Sequence, residues 1–287
     1  AISMLEAAGK KGELSEVYGV VIENVKKDTL SKVLKSEAYT GNPAAGSVEF
    51  KRFVNSSDNE YGTARRTGKG NEITAPPITV NLDTHREIVE EIAKFDLKTF
   101  GVANIMARRA SNHIDTMSNV LDRKFFKVAA DAATAITPKS TEPIEQLEEM
   151  IVALETVKNE YVQGVKRNMI NAVVTPEFFS DIRKKLDTLP SSNVDTAAED
   201  FGTYHGVKVF SGINLPDGVT ALTMIHGAVG QPAVIDQYGE PEKIPMSNDY
   251  SVSLFYDFGT KALTPDLIFK LEDKAEDKAE GNGEDEG

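Results

Sequence analysis

Between residues 103 and 128 the apolar positions fall at Ala103, Met106, Ala110, Ile114, Met117, Leu121, Phe125 and Val128. Every step is three or four, so one helical face is held without interruption. A single helix is predicted over Lys98–Ala133. At 1.5 Å per residue it would reach roughly 50 Å, which is long for a globular helix and suggests a spine. A second stripe, Ile144, Leu147, Ile151, Leu154 and Tyr161, predicts a helix over Glu142–Gln163. The apolar run Met169–Val174 reads as a buried strand. Thr175-Pro176-Glu177 then opens a helix, with Thr175 as N-cap, Pro176 in the first turn, and Phe179, Ile182 and Leu186 facing inward.

Elsewhere the period is two. Ile78, Val80 and Leu82 alternate with Thr79 and Asn81, and Ser47–Val54 is also β-like. The stretch between these runs is polar and glycine-rich, so it cannot pack into a core of its own. Residues 46–82 therefore read as a long hairpin that leaves the body of the protein. Pro76-Pro77 suits an edge strand or the entry to one. Short strands are predicted at Val207–Phe210, Thr220–Ile225, Ser251–Phe258 and Leu267–Leu271, with Pro216-Asp217-Gly218 as a turn and residues 187–201 as a polar loop. Asp83-Thr84 is read as a helix start, because Thr84 and Glu87 have capping-box spacing and Ile88, Ile92 and Phe95 would line one face. In the weakly patterned first 45 residues, Ile22–Leu34 is a candidate short helix, closed by a break at Gly41-Asn42-Pro43. No internal repeat is evident. Arm, hairpin, helices and then mixed strands make an α+β chain.

Composition narrows the function classes. A chain of 287 residues can bury a sizeable core, and its 40% hydrophobic and 27% charged content is that of a globular protein. No run approaches the roughly 18 consecutive apolar residues of a membrane span, and the opening AISMLEAAGKKGEL lacks the basic-then-apolar pattern of a secretory signal. The absence of cysteine excludes disulfides, thiol catalysis and cysteine-ligated metal. The net charge of −13 is partly local, since Glu272–Gly287 alone holds eight acids against two lysines. That tail has nothing to bury and is expected to be disordered. The overall acidity argues against tight sequence-independent binding to DNA.

Catalytic signatures are lacking. His85, His113, His205 and His226 show no zinc-pair spacing, and each reads as a surface or structural residue. There is no G-x-S-x-G elbow. Gly62–Lys69 resembles a phosphate loop only slightly, lacking the hydroxyl after the lysine and a following helix. Gly227-Ala228-Val229-Gly230 reads as a tight turn. Glu90-Glu91 and Glu148-Glu149 are expected on solvated helix faces. The most suggestive group is Arg52, Arg65, Arg66 and Lys69, in and beside the hairpin. Tyr61 is near, but no aromatics are interleaved for base stacking. An arm that meets an acidic neighbouring subunit fits this group better, and these four residues are the candidate inter-subunit contacts.

Taken in order, these elements resemble the major capsid proteins of tailed bacteriophages, the Hong Kong 97-like shell fold. Residues 1–45 are similar to the N-terminal arm, 46–82 to the extended loop, and 98–133 to the spine helix of the peripheral domain. Met169–Phe179 resembles the strand-then-helix of the axial domain. Gly206–Phe210 is similar to the strand after it, with Lys208 where proline is common, and Asp249–Phe258 to the late strand that returns to the peripheral domain. The resemblance implies a peripheral domain over 83–165, an axial domain over 166–245, return strands over 246–271 and the acidic tail over 272–287. It implies self-assembly into hexamers and pentamers of an icosahedral virion shell around double-stranded DNA held without specific binding, with portal and scaffolding or protease proteins as partners. A scaffolding segment removed ahead of the arm, a separate scaffold, or none, are all compatible with it. No cofactor, metal or catalytic residue is implied. Lys51 and Lys69 lie where some relatives form crosslinks, but no matching Asn or Glu motif is present, so no crosslinking residues are assigned. The alternatives are a nanocompartment shell built on the same fold, or a soluble α+β enzyme or binding module.

Overall fold

A computed structural model describes residues 29–56, 58, 60–62, 72–96, 102–188, 203–238 and 242–273, with no side-chain description for 102–108, 110, 111, 237 and 238. Its helices are α1 (Leu30–Leu34), α2 (Val102–Ala132), α3 (Pro143–Glu155) and α4 (Pro176–Thr188). Its strands are β1 (Tyr39–Thr40), β2 (Ser47–Lys51), β3 (Pro77–Asn81), β4 (Thr84–Ile92), β5 (Thr134–Ile136), β6 (Ile170–Val174), β7 (Thr203–Tyr204), β8 (Val207–Ser211), β9 (Val219–Ile225), β10 (Val229–Gly230), β11 (Ala233–Tyr238), β12 (Glu242–Lys243), β13 (Tyr250–Phe258), β14 (Lys261–Ala262) and β15 (Ile268–Glu272).

The spine helix α2 spans 31 residues, about 46 Å. It organises two cores. Its first half lays Ile114, Met117 and Leu121 against Val252, Leu254, Tyr256 and Phe258 of β13. That sheet runs β11-β13-β12, with β4 paired along the whole of β13 on the other side. Its second half lays Phe125, Phe126, Ala129 and Ala130 against Val173, Leu222, Met224 and Ile268. Those residues belong to a six-stranded sheet of order β5-β15-β9-β6-β8-β7. Helices α3 and α4 cover the opposite face of this sheet through Leu147, Ile151, Leu154, Phe178, Ile182 and Leu186. Covered on both sides, β6 is buried at all five positions, which is why its sequence INAVV shows no alternation.

The spine carries the chain's earlier part through polar contacts. The buried Asp122 carboxylate accepts from the backbone N–H of Leu30 (3.2 Å) and Ser31 (2.9 Å), so a spine side chain caps α1. Gln231 donates to the Leu121 carbonyl at 2.9 Å and to Thr260 Oγ1 at 3.0 Å, tying the spine to the β10–β14 pair.

Several expectations are corrected. Residues 84–92 form a strand, not a capped helix. Ile88 and Ile92 are four apart, a spacing that satisfies both periods, and the nine-residue pairing with β13 decides for the strand. Thr84 Oγ1 bonds to Asp83 Oδ1 at 3.1 Å, and Phe95, expected on the inner face, is exposed. Helix α3 ends at Glu155, well short of Gln163. There the Thr156 hydroxyl turns back to the Val152 and Ala153 carbonyls, and a tight hairpin follows in which Gly164 takes a φ of 93°. The tail starts later than residue 272: Glu272 pairs in β15, and the Asp273 N–H donates to the Gly218 carbonyl at 3.0 Å. The rest of the tail, residues 274–287, lies outside the described residues, as do 22–28 of the predicted first helix. Of the GAVG segment, Gly227 makes the turn, but Val229 and Gly230 form strand β10. Within 246–271 the strands divide, β13 lying on the first half of the spine and β15 joining the six-stranded sheet.

Candidate interaction site at the base of the arm

The hairpin leaves the body as β2 and β3, whose antiparallel register places Val48 opposite Val80 and Phe50 opposite Ile78. These even-numbered residues face inward and pack with Leu263. The seat is shaped by glycine: a Cβ at Gly230 would lie 2.8 Å from the Phe50 ring. At Gly259 a Cβ would lie 1.9 Å from the Asn81 carbonyl oxygen, so only glycine permits the hairpin to approach there.

Past β2 the register continues, because the Val54 N–H donates to the Thr74 carbonyl at 3.0 Å. Arg52, on the inward face, meets Asp266 in a bidentate pair, Nη1 to Oδ1 at 2.6 Å and Nη2 to Oδ2 at 2.7 Å. Its guanidinium lies 4.0 Å over the Tyr161 ring. Asn159 Nδ2 donates to the same Asp266 carboxylate, while Asn159 Oδ1 accepts from the Tyr161 and Val162 N–H groups at 2.8 Å. The Asn55 N–H adds a bond to the Glu160 carbonyl at 3.0 Å. Burial pushes the Asp266 pKa up, but the hydrogen bonds from Arg52 and Asn159 and the Arg52 charge outweigh it, and the carboxyl is held below its ordinary range. The base of the arm is thus locked to the short hairpin between α3 and β6.

The odd-numbered residues of the arm face the other way. Phe53 is 62% exposed and Ile73 84% exposed, and the register places them diagonally on one face. Tyr61, nearer the tip, is also exposed. Of the four candidate contacts, Arg52 is thus engaged within its own chain. Arg65, Arg66 and Lys69 lie outside the described residues, as does most of the phosphate-loop-like segment.

The histidines and acid pairs occupy structural positions. His85 Nδ1 lies 2.6 Å from Asp257 Oδ1 across the β4–β13 pair. His113, buried on the spine, has Nε2 3.1 Å from Glu90 Oε2, and Arg109 binds the same carboxylate through Nε (2.7 Å) and Nη2. The Arg109 hydrogen bond holds the Glu90 pKa below its ordinary value, against the opposing effect of burial and with help from His113. Glu90 therefore stands on a strand and in an ion cluster, not on a solvated helix. Glu148 pairs with Arg167, which also reaches Glu155 at 3.1 Å, and Glu149 accepts the Lys139 N–H at 2.9 Å. His205 has a φ of 45° in the two-residue turn between β7 and β8 and stacks on Tyr204, while His226 is exposed. Among the described residues no three His, Asp or Glu side chains are placed to hold a metal ion. Nor, among them, is any helix long and apolar enough to cross a membrane. Sequence reasoning missed Asp266 and Asn159, which lie 214 and 107 residues from their partners at the site.

No family model matches the sequence. No curated protein matches it either. Solved structures do. A structure from Mycobacterium phage Che8 matches with a TM-score of 0.58 at 16% identity, covering 83% of this chain and 93% of its own. The capsid of Cyanophage P-SCSP1u matches at 0.58 and 13% identity, covering 79% and 83%. A virus-like particle from Pyrococcus furiosus matches at 0.55 and 12% identity, covering 90% and 98%. The likeness establishes the fold: α+β, of the Hong Kong 97-like kind, with the spine helix and the hairpin arm as its marks.

Proposed function

We propose that this chain is a major capsid protein of the tailed-bacteriophage kind, a structural subunit and not an enzyme. Copies assemble as hexamers and pentamers into an icosahedral shell that encloses double-stranded DNA without binding its sequence. The protein then resides in the virion, with portal and scaffolding or protease proteins acting during assembly. The β4–β13–β11 sheet with the first part of the spine serves as the peripheral domain, and the six-stranded sheet with α3 and α4 as the axial domain. Thus α3, within 83–165, and β11 and β12, within 166–245, each fall on the other side of the boundary expected from the sequence. The observation that carries this reading is the arm. It is locked at its base by Arg52, Asp266 and Asn159, yet presents Phe53 and Ile73 away from its own subunit. Apolar side chains held out on a stiff support lower the free energy only when a second chain covers them. Many such contacts close into a symmetric object.

Electron microscopy of the expressed protein tests this directly, with shells, hexamers or tubes expected and a uniform monomer overturning it. Deleting Asn55–Asn71 removes the Asn55–Glu160 bond but should still leave a folded monomer by circular dichroism and melting, while abolishing particles in sedimentation. A nanocompartment shell is the second reading, favoured by the likeness to the Pyrococcus furiosus particle. Particles that hold protein cargo and no nucleic acid when isolated from their source would select it.

A further inference from the structure

Beside its core stripe the spine carries a polar one. Asp115, Ser118, Asn119 and Asp122 follow at steps of three, one and three, so all four share one side of α2. They line a crevice of about 430 Å³, walled by Leu30 at the start of α1 and by residues 211–214 at the end of β8 and beyond it. Gly212 lets that wall close in, since a Cβ there would lie 3.0 Å from Val173 Cγ1 and 3.5 Å from Leu30 Cδ1. The oxygens of the crevice are incompletely used. Asp115 has no hydrogen-bond or ion-pair partner among the described residues. Ser118 is 7% exposed, and its hydroxyl has no partner among them either, a costly state for a buried polar group. Asp122 is buried, and burial pushes its pKa up against the hydrogen bonds from Ser31 and Leu30. Asn119 Oδ1 accepts from Asn214 Nδ2 at 3.2 Å, and Asn214 Oδ1 from Arg123 Nε at 3.4 Å, so each amide oxygen keeps a second lone pair.

We propose that this crevice is a calcium site, with the ion held by oxygens of Asp115, Ser118, Asn119 and Asp122 on the spine and of Asn214 on the facing loop. The donors select the ligand. Two carboxylates on one wall repel an anion. Carboxylate, hydroxyl and amide oxygens, with no imidazole or thiolate among them, suit a hard cation and not a softer transition metal. Calcium accepts about six to eight oxygens in irregular geometry, whereas magnesium demands a near-ideal octahedron that a mixed wall of this kind does not supply. Arg123, at the rim, forms no ion pair with Asp115 or Asp122 among the described residues, so both charges are left for the ion. A bound cation gives the Ser118 hydroxyl its missing partner and offsets the buried charge of Asp122. It also fastens three elements together: the spine, α1 through the Asp122 cap, and the loop after β8. The site lies within one subunit and does not depend on what the subunits build.

Thermal melting and titration calorimetry of the full chain, stripped of divalent ions with EDTA and dialysed, test the site. In about 5 mM calcium chloride the wild type should melt about 5 °C higher, as a site with a dissociation constant on the order of 10⁻⁴ M requires. The double variant Asp115→Asn with Ser118→Ala should melt like the wild type without calcium and lose most of the calcium shift. The acidic tail is common to both chains, so calcium bound there cancels in the comparison. An equal calcium shift in the two chains overturns the site, and so does a wild type that calcium does not shift. Matched magnesium chloride should shift the wild type by less than half as much, and an equal shift overturns the choice of calcium. Ser118→Ala alone should not lower the calcium-free melting temperature, because its hydroxyl has no partner to lose, yet should weaken calcium binding at least fivefold by calorimetry. Unchanged affinity in that variant overturns the place of Ser118 in the site.

Discussion

Two sheets of this chain rest on the same helix and are treated differently. In the six-stranded sheet, β6 is buried at every position, between α3 and α4 on one side and the spine on the other. In the β4–β13–β11 sheet, β13 alternates strictly, buried at Val252, Leu254, Tyr256 and Phe258 and only half-buried between. The first sheet is finished within the subunit. The second is finished on one side, and its open side carries charge around a small apolar centre. Within the subunit that centre, Val89 and the half-buried Phe255, stays partly open to solvent.

The largest effect is expected at the doubly covered sheet. Val173→Asp places an unpaired charge between two layers and should cost more than about 4 kcal/mol, giving insoluble protein. Leu121→Asp on the spine should act alike, whereas Asn119→Asp should be nearly silent, because Asn119 Oδ1 only accepts a hydrogen bond from Asn214 and a carboxylate still can. A soluble, folded Leu121→Asp monomer would show that this spine face packs between subunits. The matched change on the open sheet, Ser253→Asp, should stay within about 0.5 kcal/mol by chemical melting. A large loss there would mean that the outer face is covered within its own chain.

Arg52→Ala is intermediate. It leaves the partly buried Asp266 without its main partner and should cost about 1–3 kcal/mol. The sign with pH follows from the depressed Asp266 pKa. The pair's contribution is full above the unfolded carboxyl value near 4 and is lost as pH falls through the lower folded value. Wild type should therefore lose stability on acidification below about pH 4 more steeply than Arg52→Ala. Parallel acid limbs would remove the ion pair from the account. The smallest effect is expected at the end of the chain. Removing 274–287 should leave the melting temperature unchanged, while removal from Glu272 should lower it, because Glu272 and Asp273 bond to β9 and its preceding turn.

Local sequence determined the elements whose period is unambiguous. The spine stripe, the unbroken β6 run, the Thr175-Pro176 helix start and the polar arm follow from side-chain spacing, since burial on one face or on two leaves a period in the chain. Even the arm's two faces are legible, because parity along a strand is conserved. Tertiary structure decided what spacing leaves degenerate or what distance hides. Ile88 and Ile92 fit a helix or a strand equally, and only β13, some 160 residues later, settles it. The Arg52–Asp266 lock joins residues 214 apart, and the Asp122 cap on α1 joins residues 92 apart. Gly259 looks like any loop glycine until the Asn81 carbonyl is brought against it. Hydrogen bonds and close approaches of this kind depend on where the chain returns in space. A linear pattern records which faces are buried, but not what buries them.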